Sequence, residues 1–131
     1  MGSFKESRTA KNLLTSFAFE SQASARYLFF ADKAKKDGFL QIAAIFGETA
    51  DQEREHALRF FKFFNGGELE ITATFRTGVI QKTYDNLMSS ADLENNVHTE
   101  LYPGFAAIAR EENYLRAAET WDAVSVAEVQ H

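Results

Sequence analysis

Cysteine is absent from the 131 residues. That excludes disulfides, Fe–S clusters and thiolate zinc sites together, and leaves His, Asp and Glu as the strong metal ligands. Proline occurs once, at Pro103, so most of the chain is free to form long helices. No run approaches the roughly 18 apolar residues of a membrane span. The opening Met1-Gly2-Ser3-Phe4-Lys5 has no apolar signal region, so the expected location is the cytoplasm, without a membrane partner. A basic excess is also lacking. Net charge is −5, from 14 Lys and Arg against 19 Asp and Glu, with no basic stripe, which argues against nucleic acid as a partner. What the chain has in quantity is Phe, 13 residues of it, read as core packing. The length suggests one domain over residues 1–131.

Apolar residues recur at helical spacing in four segments. The first runs from about Thr9 to Lys36, with Leu13, Leu14, Phe17, Ala18, Tyr27, Leu28, Ala31 and Ala34 at inner positions; Asp37-Gly38 closes it. The second runs from about Leu40 to Phe64 through Ile42, Ile45, Phe46, Thr49, Glu53, His56 and Phe60, and ends at Asn65-Gly66-Gly67. Residues 68–77 alternate like a strand, but a lone strand has no partner, so an extended crossover is expected. A third helix is expected from about Val79 to Glu112 through Tyr84, Leu87, Met88 and Ala91, bent or interrupted at Pro103. Asn113 is its left-handed stop. The fourth segment, Tyr114 to His131, places Ala118, Trp121, Ala127 and His131 inside. Two short turns flanking one long link give an all-α, ferritin-like four-helix bundle with the crossover between helices 2 and 3.

The halves repeat. Ala31-Asp32-Lys33-Ala34 through Gly38-Phe39-Leu40 matches Ala106-Ala107-Ile108-Ala109 through Asn113-Tyr114-Leu115 at an offset of 75. The same offset maps Tyr27 to Tyr102, Phe46 to Trp121, Glu53 to Glu128 and His56 to His131. Glu53-Arg54-Glu55-His56 and Glu128-Val129-Gln130-His131 are Glu-x-x-His units, whose i and i+3 side chains share a helix face. One such unit is ordinarily surface decoration. Two at a repeat offset, each preceded by a matching Glu, form the ligand set of a carboxylate-bridged dimetal site.

The matching residues are Glu20, 33 before Glu53, and Glu94, 34 before Glu128. Glu20 lies among Phe17, Ala18 and Phe19, where an unpaired carboxylate costs several kcal/mol. Four Glu and two neutral His would hold two divalent cations with no net charge. The competing reading is a metal-free bundle with buried polar networks. The one-residue difference in spacing predicts a π-bulge between Glu94 and Tyr102, merged with the Pro103 irregularity. Mixed O and N ligands accept Fe, Mn or Zn.

At these residues the chain resembles the rubrerythrin diiron domain over nearly its whole length. The resemblance rests on Ala18-Phe19-Glu20-Ser21-Gln22-Ala23 and on residues 46–57, Phe46-Gly47-Glu48 through Glu53-Arg54-Glu55-His56-Ala57. Tyr102-Pro103-Gly104-Phe105-Ala106, Ile108-Ala109-Arg110-Glu111-Glu112, Val126-Ala127-Glu128 and His131 complete it. It implies a non-haem diiron peroxidase reducing hydrogen peroxide to water. Glu20, Glu53, Glu94 and Glu128 would be carboxylate ligands, with Glu53 and Glu128 bridging, and His56 and His131 the nitrogen ligands of two iron ions. Tyr27 and Tyr102 match tyrosines that hydrogen-bond the ligand carboxylates; simple amphipathic packing explains them equally.

Three departures qualify the resemblance. Rubrerythrins commonly carry a further Glu three residues after the third-helix ligand, which exchanges with a His on one iron. Val97 stands there and cannot bind iron. His98, at i+4 from Glu94, is read as solvent-facing or as a hydrogen-bonding neighbour of the site in preference to a ligand. Phe19 and Leu93 precede Glu20 and Glu94, so with Val97 one side of the site should be more apolar, restricting peroxide access or redirecting oxygen chemistry. Full-length rubrerythrins also end in a rubredoxin-like domain with two Cys-x-x-Cys pairs. Without Cys, electrons would come from an external donor protein such as a rubredoxin. Finally, the sequence stops on His131, a candidate ligand, which reads as a fragment or a terminus needing cover from another chain.

Phe60, Phe61, Phe63 and Phe64 span roughly 160° of helix surface, wider than the roughly 100° stripe that one buried face needs. Part of that surface is therefore expected to pack on a second copy in a homodimer. Alongside a peroxide reductase, two readings stay open: a ferroxidase or oxygen-reducing diiron protein, and a metal-binding bundle whose catalysis is impaired by Val97 and the missing electron relay.

Overall fold

The computed structural model describes residues 3–129, leaving the side chains of 91–96, 98, 128 and 129 outside the description. After a short 3-10 turn at Phe4–Glu6 come α1 (Arg8–Lys36), α2 (Leu40–Phe61), α3 (Thr83–Asn96), α4 (Tyr102–Glu111) and α5 (Leu115–Val129). A π-helical turn, Val97–Leu101, joins α3 to α4. The three segments α3, π-turn and α4 together make one long third helix, so the architecture is the expected four-helix bundle. No strand occurs among the described residues; 69–75 is part of an extended crossover. No helix among them is long and apolar enough to cross a membrane.

Two helical hairpins, α1 with α2 and α4 with α5, close through the same turn. In the first, the Phe39 N–H donates to the Ala34 carbonyl at 2.8 Å and Gly38 sits at φ 86°. In the second, the Tyr114 N–H donates to the Ala109 carbonyl at 2.8 Å and Asn113 sits at φ 66°. This is the Schellman arrangement, with Gly or Asn taking the left-handed position. The 75-residue offset therefore appears in the backbone as well as in the side chains.

The hairpins also cap each other. Glu112, at the end of α4, accepts the Thr9 backbone N–H at 2.8 Å and the Thr9 hydroxyl at 2.5 Å. Its other oxygen accepts the Arg8 N–H at 3.2 Å. These are donors that an isolated α1 would leave open. Asp37 does the equivalent for α3, accepting the Thr83 hydroxyl at 2.8 Å while Lys33 pairs with it at 3.0 Å.

The crossover, residues 62–82, lies against α1. Phe75 meets Phe19 edge-on at 4.8 Å between ring centres, and the Arg26 guanidinium donates to the Arg76 carbonyl at 3.4 Å. Its end is fixed by buried Asn86, which accepts the Gln81 N–H at 2.8 Å and donates to the Gln81 carbonyl at 2.9 Å. That clamp and the Asp37 cap explain why helix 3 starts at Thr83 and not at Val79. Likewise α2 ends at Phe61, and Phe63 and Phe64 belong to the following turn.

One apolar cluster gathers Leu13, Phe60, Tyr102, Trp121 and Val124; a second gathers Ala23, Tyr27, Phe30 and Phe46. Trp121 is fully buried, and its indole N–H donates to the Ser16 hydroxyl at 2.9 Å. Several expected inner positions are instead exposed. Leu28, Ile45, Tyr84, Leu87 and Met88 face outward, and α3 turns Thr83, Asn86 and Ser90 inward. Periodicity located those faces correctly as apolar but assigned them to this chain's own core. The Asp37–Thr83 cap and the Asn86 clamp hold α3 with its polar side inward. Of the four Phe closing the second segment, Phe60 is buried, Phe63 and Phe64 are half-buried and Phe61 is exposed.

Candidate metal centre

Glu20 enters the bundle from the middle of α1, and Glu53 and His56 from α2. All three are at most 5% exposed. Each offers a ligand atom within 4.8 Å of the others. The His56 Nδ1 is 3.3 Å from a Glu20 oxygen and 3.8 Å from a Glu53 oxygen. The i, i+3 spacing of Glu53 and His56 makes this possible, because both project from one side of α2. Two carboxylates and an imidazole drawn together in a nearly dry interior are costly unless positive charge accompanies them. The donor set, hard oxygens with one imidazole, suits a divalent transition metal. The group therefore fits one half of a dimetal site, as the first hairpin was expected to supply.

Glu94 lies in α3 and Glu128 in α5, but their side chains, with those of His98 and Leu93, fall outside the described residues, as does His131 entirely. Tyr27 and Tyr102 are buried in the two apolar clusters. The Tyr27 ring packs on Phe30 and Phe46, and the Tyr102 ring on Phe60 and Phe105. The π-turn falls between Glu94 and Tyr102, where the spacing predicted it, and Pro103 follows in the first turn of α4. One inserted residue is thereby absorbed without breaking the helix.

A cavity of about 350 Å3 opens beside Glu20. Phe19, Ala23, Val97 and Leu101 give it apolar walls, while Arg26 and Arg76 bring it cationic groups. Of the three residues expected to make one side of the site apolar, Phe19 and Val97 line this cavity, and Leu93 lies outside the described side chains. Sequence reasoning missed Arg26 and Arg76, because nothing in their spacing shows that the crossover folds back over α1.

Comparison with known proteins agrees with this geometry. The family model described as Rubrerythrin matches residues 11–131. The chain belongs to the rubrerythrin family. It is 57% identical over 131 residues to a rubrerythrin of Nitratidesulfovibrio vulgaris, covering all of this chain and 69% of that protein. It is 51% identical to a rubrerythrin of Porphyromonas gingivalis, covering 98% of this chain and 64% of that one. Among solved structures, a fully reduced, all-ferrous nigerythrin superposes with a TM-score of 0.80 at 29% identity, over 94% of this chain and 64% of that one. This rubrerythrin-family chain thus spans about two thirds of the length of the relatives it matches.

Proposed function

We propose that the chain is a diiron oxidoreductase that reduces hydrogen peroxide to water with electrons from an external donor protein. The observation that carries this is the buried Glu20, Glu53 and His56 group, whose ligand atoms lie within 4.8 Å of one another. Glu94, Glu128 and His131 are proposed as the matching half from the second hairpin. When bound, two ferrous ions supply the two electrons that cleave the O–O bond, and two protons complete two waters. The protein's own part is to hold the carboxylates in place, exclude bulk water and offer one open approach beside Glu20. Tyr27 and Tyr102 are proposed to steady the ligand carboxylates by hydrogen bonds. Iron is the metal read from the family; manganese and zinc fit the same donors.

A homodimer is part of this reading. The outward apolar residues of α3 and its approach, Val79, Ile80, Tyr84, Leu87 and Met88, are 37% to 70% exposed in the single chain, a concentration that favours cover by a partner. Light scattering on the purified chain measures this directly.

Rapid mixing tests the activity. Ferrous-loaded protein is mixed with stoichiometric peroxide and, separately, with oxygen. Fast oxidation by peroxide and slow oxidation by oxygen support the reading. The reverse order points to a ferroxidase or oxygen reductase, and slow oxidation by both to a metal-binding bundle without turnover.

A further inference from the structure

We propose that the cavity beside Glu20 binds organic hydroperoxides that carry a carboxylate, as oxidants additional to hydrogen peroxide. The proposal rests on the reading of Glu20, Glu53 and His56 as iron ligands. At about 350 Å3 the cavity lies within the range of about 300–1,000 Å3 typical of sites for organic ligands. A two-atom oxidant needs far less. Phe19, Ala23, Val97 and Leu101 offer apolar surface from α1 and the π-turn. Glu20 lines the cavity as well, with the His56 Nδ1 3.3 Å from its carboxylate.

Arg26 lies six residues beyond Glu20 on α1, about 9 Å along the helix axis. Arg26 and Arg76 equal in number the two carboxylates of the lining, Glu20 and Glu100. On a chain of net charge −5 this gathers two guanidinium groups at one cavity. Arg26 is also positioned. Its guanidinium donates to the Arg76 carbonyl at 3.4 Å, and Gly78 makes room for it. Gly78 sits at φ +77°, and a Cβ there would come within 3.2 Å of the Arg26 Nε. A carboxylate reaching Arg26 and Arg76 would meet charge-assisted donors. A ligand with a carboxylate at one end, an apolar body and a hydroperoxide at the other satisfies all three zones.

The reaction balances as a two-electron reduction. The O–O bond breaks, the hydroperoxide becomes an alcohol and a water, and two protons come from solvent. The two electrons come from the ferrous pair, which is left ferric, and the external donor protein restores them.

Binding is tested apart from turnover, on the full chain loaded with redox-inert zinc. ω-Hydroxyhexanoate, an unreactive stand-in for the alcohol product, is titrated while backbone amide shifts are followed. Saturable shifts centred on Ala23, Arg26 and Leu101 are expected, with neutral hexanediol binding much more weakly. The Arg26→Gln/Arg76→Gln double variant should bind about tenfold more weakly; Arg76→Gln alone, at an exposed residue, should show part of that loss. Lys62→Gln should bind as the parent does. Absence of saturable binding, equal binding of hexanediol, or full affinity in the double variant overturns the proposal. Ferrous-loaded protein is then mixed with hydrogen peroxide or with a medium-chain fatty acid hydroperoxide. Fast oxidation by both is expected, with the ratio of kcat/KM for the fatty hydroperoxide to that for hydrogen peroxide falling in the double variant. Oxidation by hydrogen peroxide alone sinks this proposal only; oxidation by neither sinks the reading it rests on.

Discussion

Glu112 and Thr9 lie 103 residues apart in sequence, and the carboxylate of one holds both the hydroxyl and the backbone N–H of the other. The end of the second hairpin's first arm thus caps the start of the first hairpin. Asp37 and Thr83 repeat the relationship in the opposite direction. The bundle is closed by two reciprocal polar clasps, each joining a turn of one half to a helix start in the other.

These clasps give stability a dependence on pH. Burial pushes the Glu112 carboxyl up, but the Thr9 hydroxyl, the Thr9 and Arg8 backbone N–H groups and the Arg8 charge outweigh it and hold it below its ordinary 4.5. Asp37 is held below its ordinary 3.8, chiefly by the Lys33 ammonium and then by Thr83. A carboxyl depressed on folding contributes stability above its unfolded value, and that contribution is lost as pH falls through the folded one. Stability should therefore decline below about pH 4.5 in part through Glu112. Glu112→Gln should cost about 1 kcal/mol near neutrality, the usual worth of a helix cap. It should also flatten that part of the acid limb. Urea midpoints measured across pH check both; an unchanged acid limb would show the clasp to be energetically idle.

The Trp121–Ser16 hydrogen bond links the hairpins through the interior at 2.9 Å. Ser16→Ala leaves the buried indole N–H without its acceptor, which should cost about 1–3 kcal/mol. Ser16→Thr retains a hydroxyl and should recover part of the loss if the added methyl is accommodated. Thermal unfolding of the two variants side by side separates loss of the bond from a packing effect.

The sequence made the bundle legible because four helical periods, two turn signals and one long link admit few arrangements. Glu20, Glu53 and His56 were legible because burial of charge at repeat positions has few explanations. The π-turn was legible from one residue of mismatch. The capping clasps were written in the same repeat, since Asp37 maps to Glu112 at the offset of 75 and Thr9 maps to Thr83 at 74. They were overlooked because a Thr and a carboxylate at helix ends are common everywhere. The inward face of α3 was misread for a physical reason: an apolar stripe marks a surface that avoids water, without naming which chain covers it. Arg26 and Arg76 meet through the path of an irregular crossover, and periodicity carries no information about such a path.

The π-turn sets the phase between Glu94 and Tyr102. Removing one residue from it, such as the exposed Glu100, should let the helix run on as α with its two ends still in phase, because the π-turn is what absorbs the extra residue. Circular dichroism should show helix content retained, and metal bound per chain should be retained with it. Loss of metal in the deletion variant would mean that the π-turn does more than absorb one residue between Glu94 and Tyr102.

Val97 packs partly buried against the core and lines the cavity beside Glu20. Val97→Glu places a carboxylate there. In the metal-free protein it should destabilise the fold by about 1–3 kcal/mol, the cost of burying an uncompensated polar group. With iron bound that cost should shrink, and peroxide-driven iron oxidation should accelerate if a mobile carboxylate at this position matters to turnover. Stopped-flow traces of parent and variant at equal iron loading decide the second point; identical rates would remove position 97 from the account of catalysis.

Glu53 is fully buried and belongs to the Glu20, Glu53 and His56 group. Its charge is a liability without metal and an asset with it. Glu53→Gln removes that charge at nearly constant volume, so the metal-free variant should be at least as stable as the metal-free parent. Metal should then separate the two proteins. At one hundred times Kd, a bound ion adds about 2.7 kcal/mol to the parent. The variant at the same ferrous or zinc concentration should gain less than half of that, because its amide is a weaker ligand than a carboxylate. Differential scanning calorimetry with and without metal gives all four values. A variant that loses stability without metal and gains as much as the parent with it would place Glu53 among the structural residues and outside the metal centre.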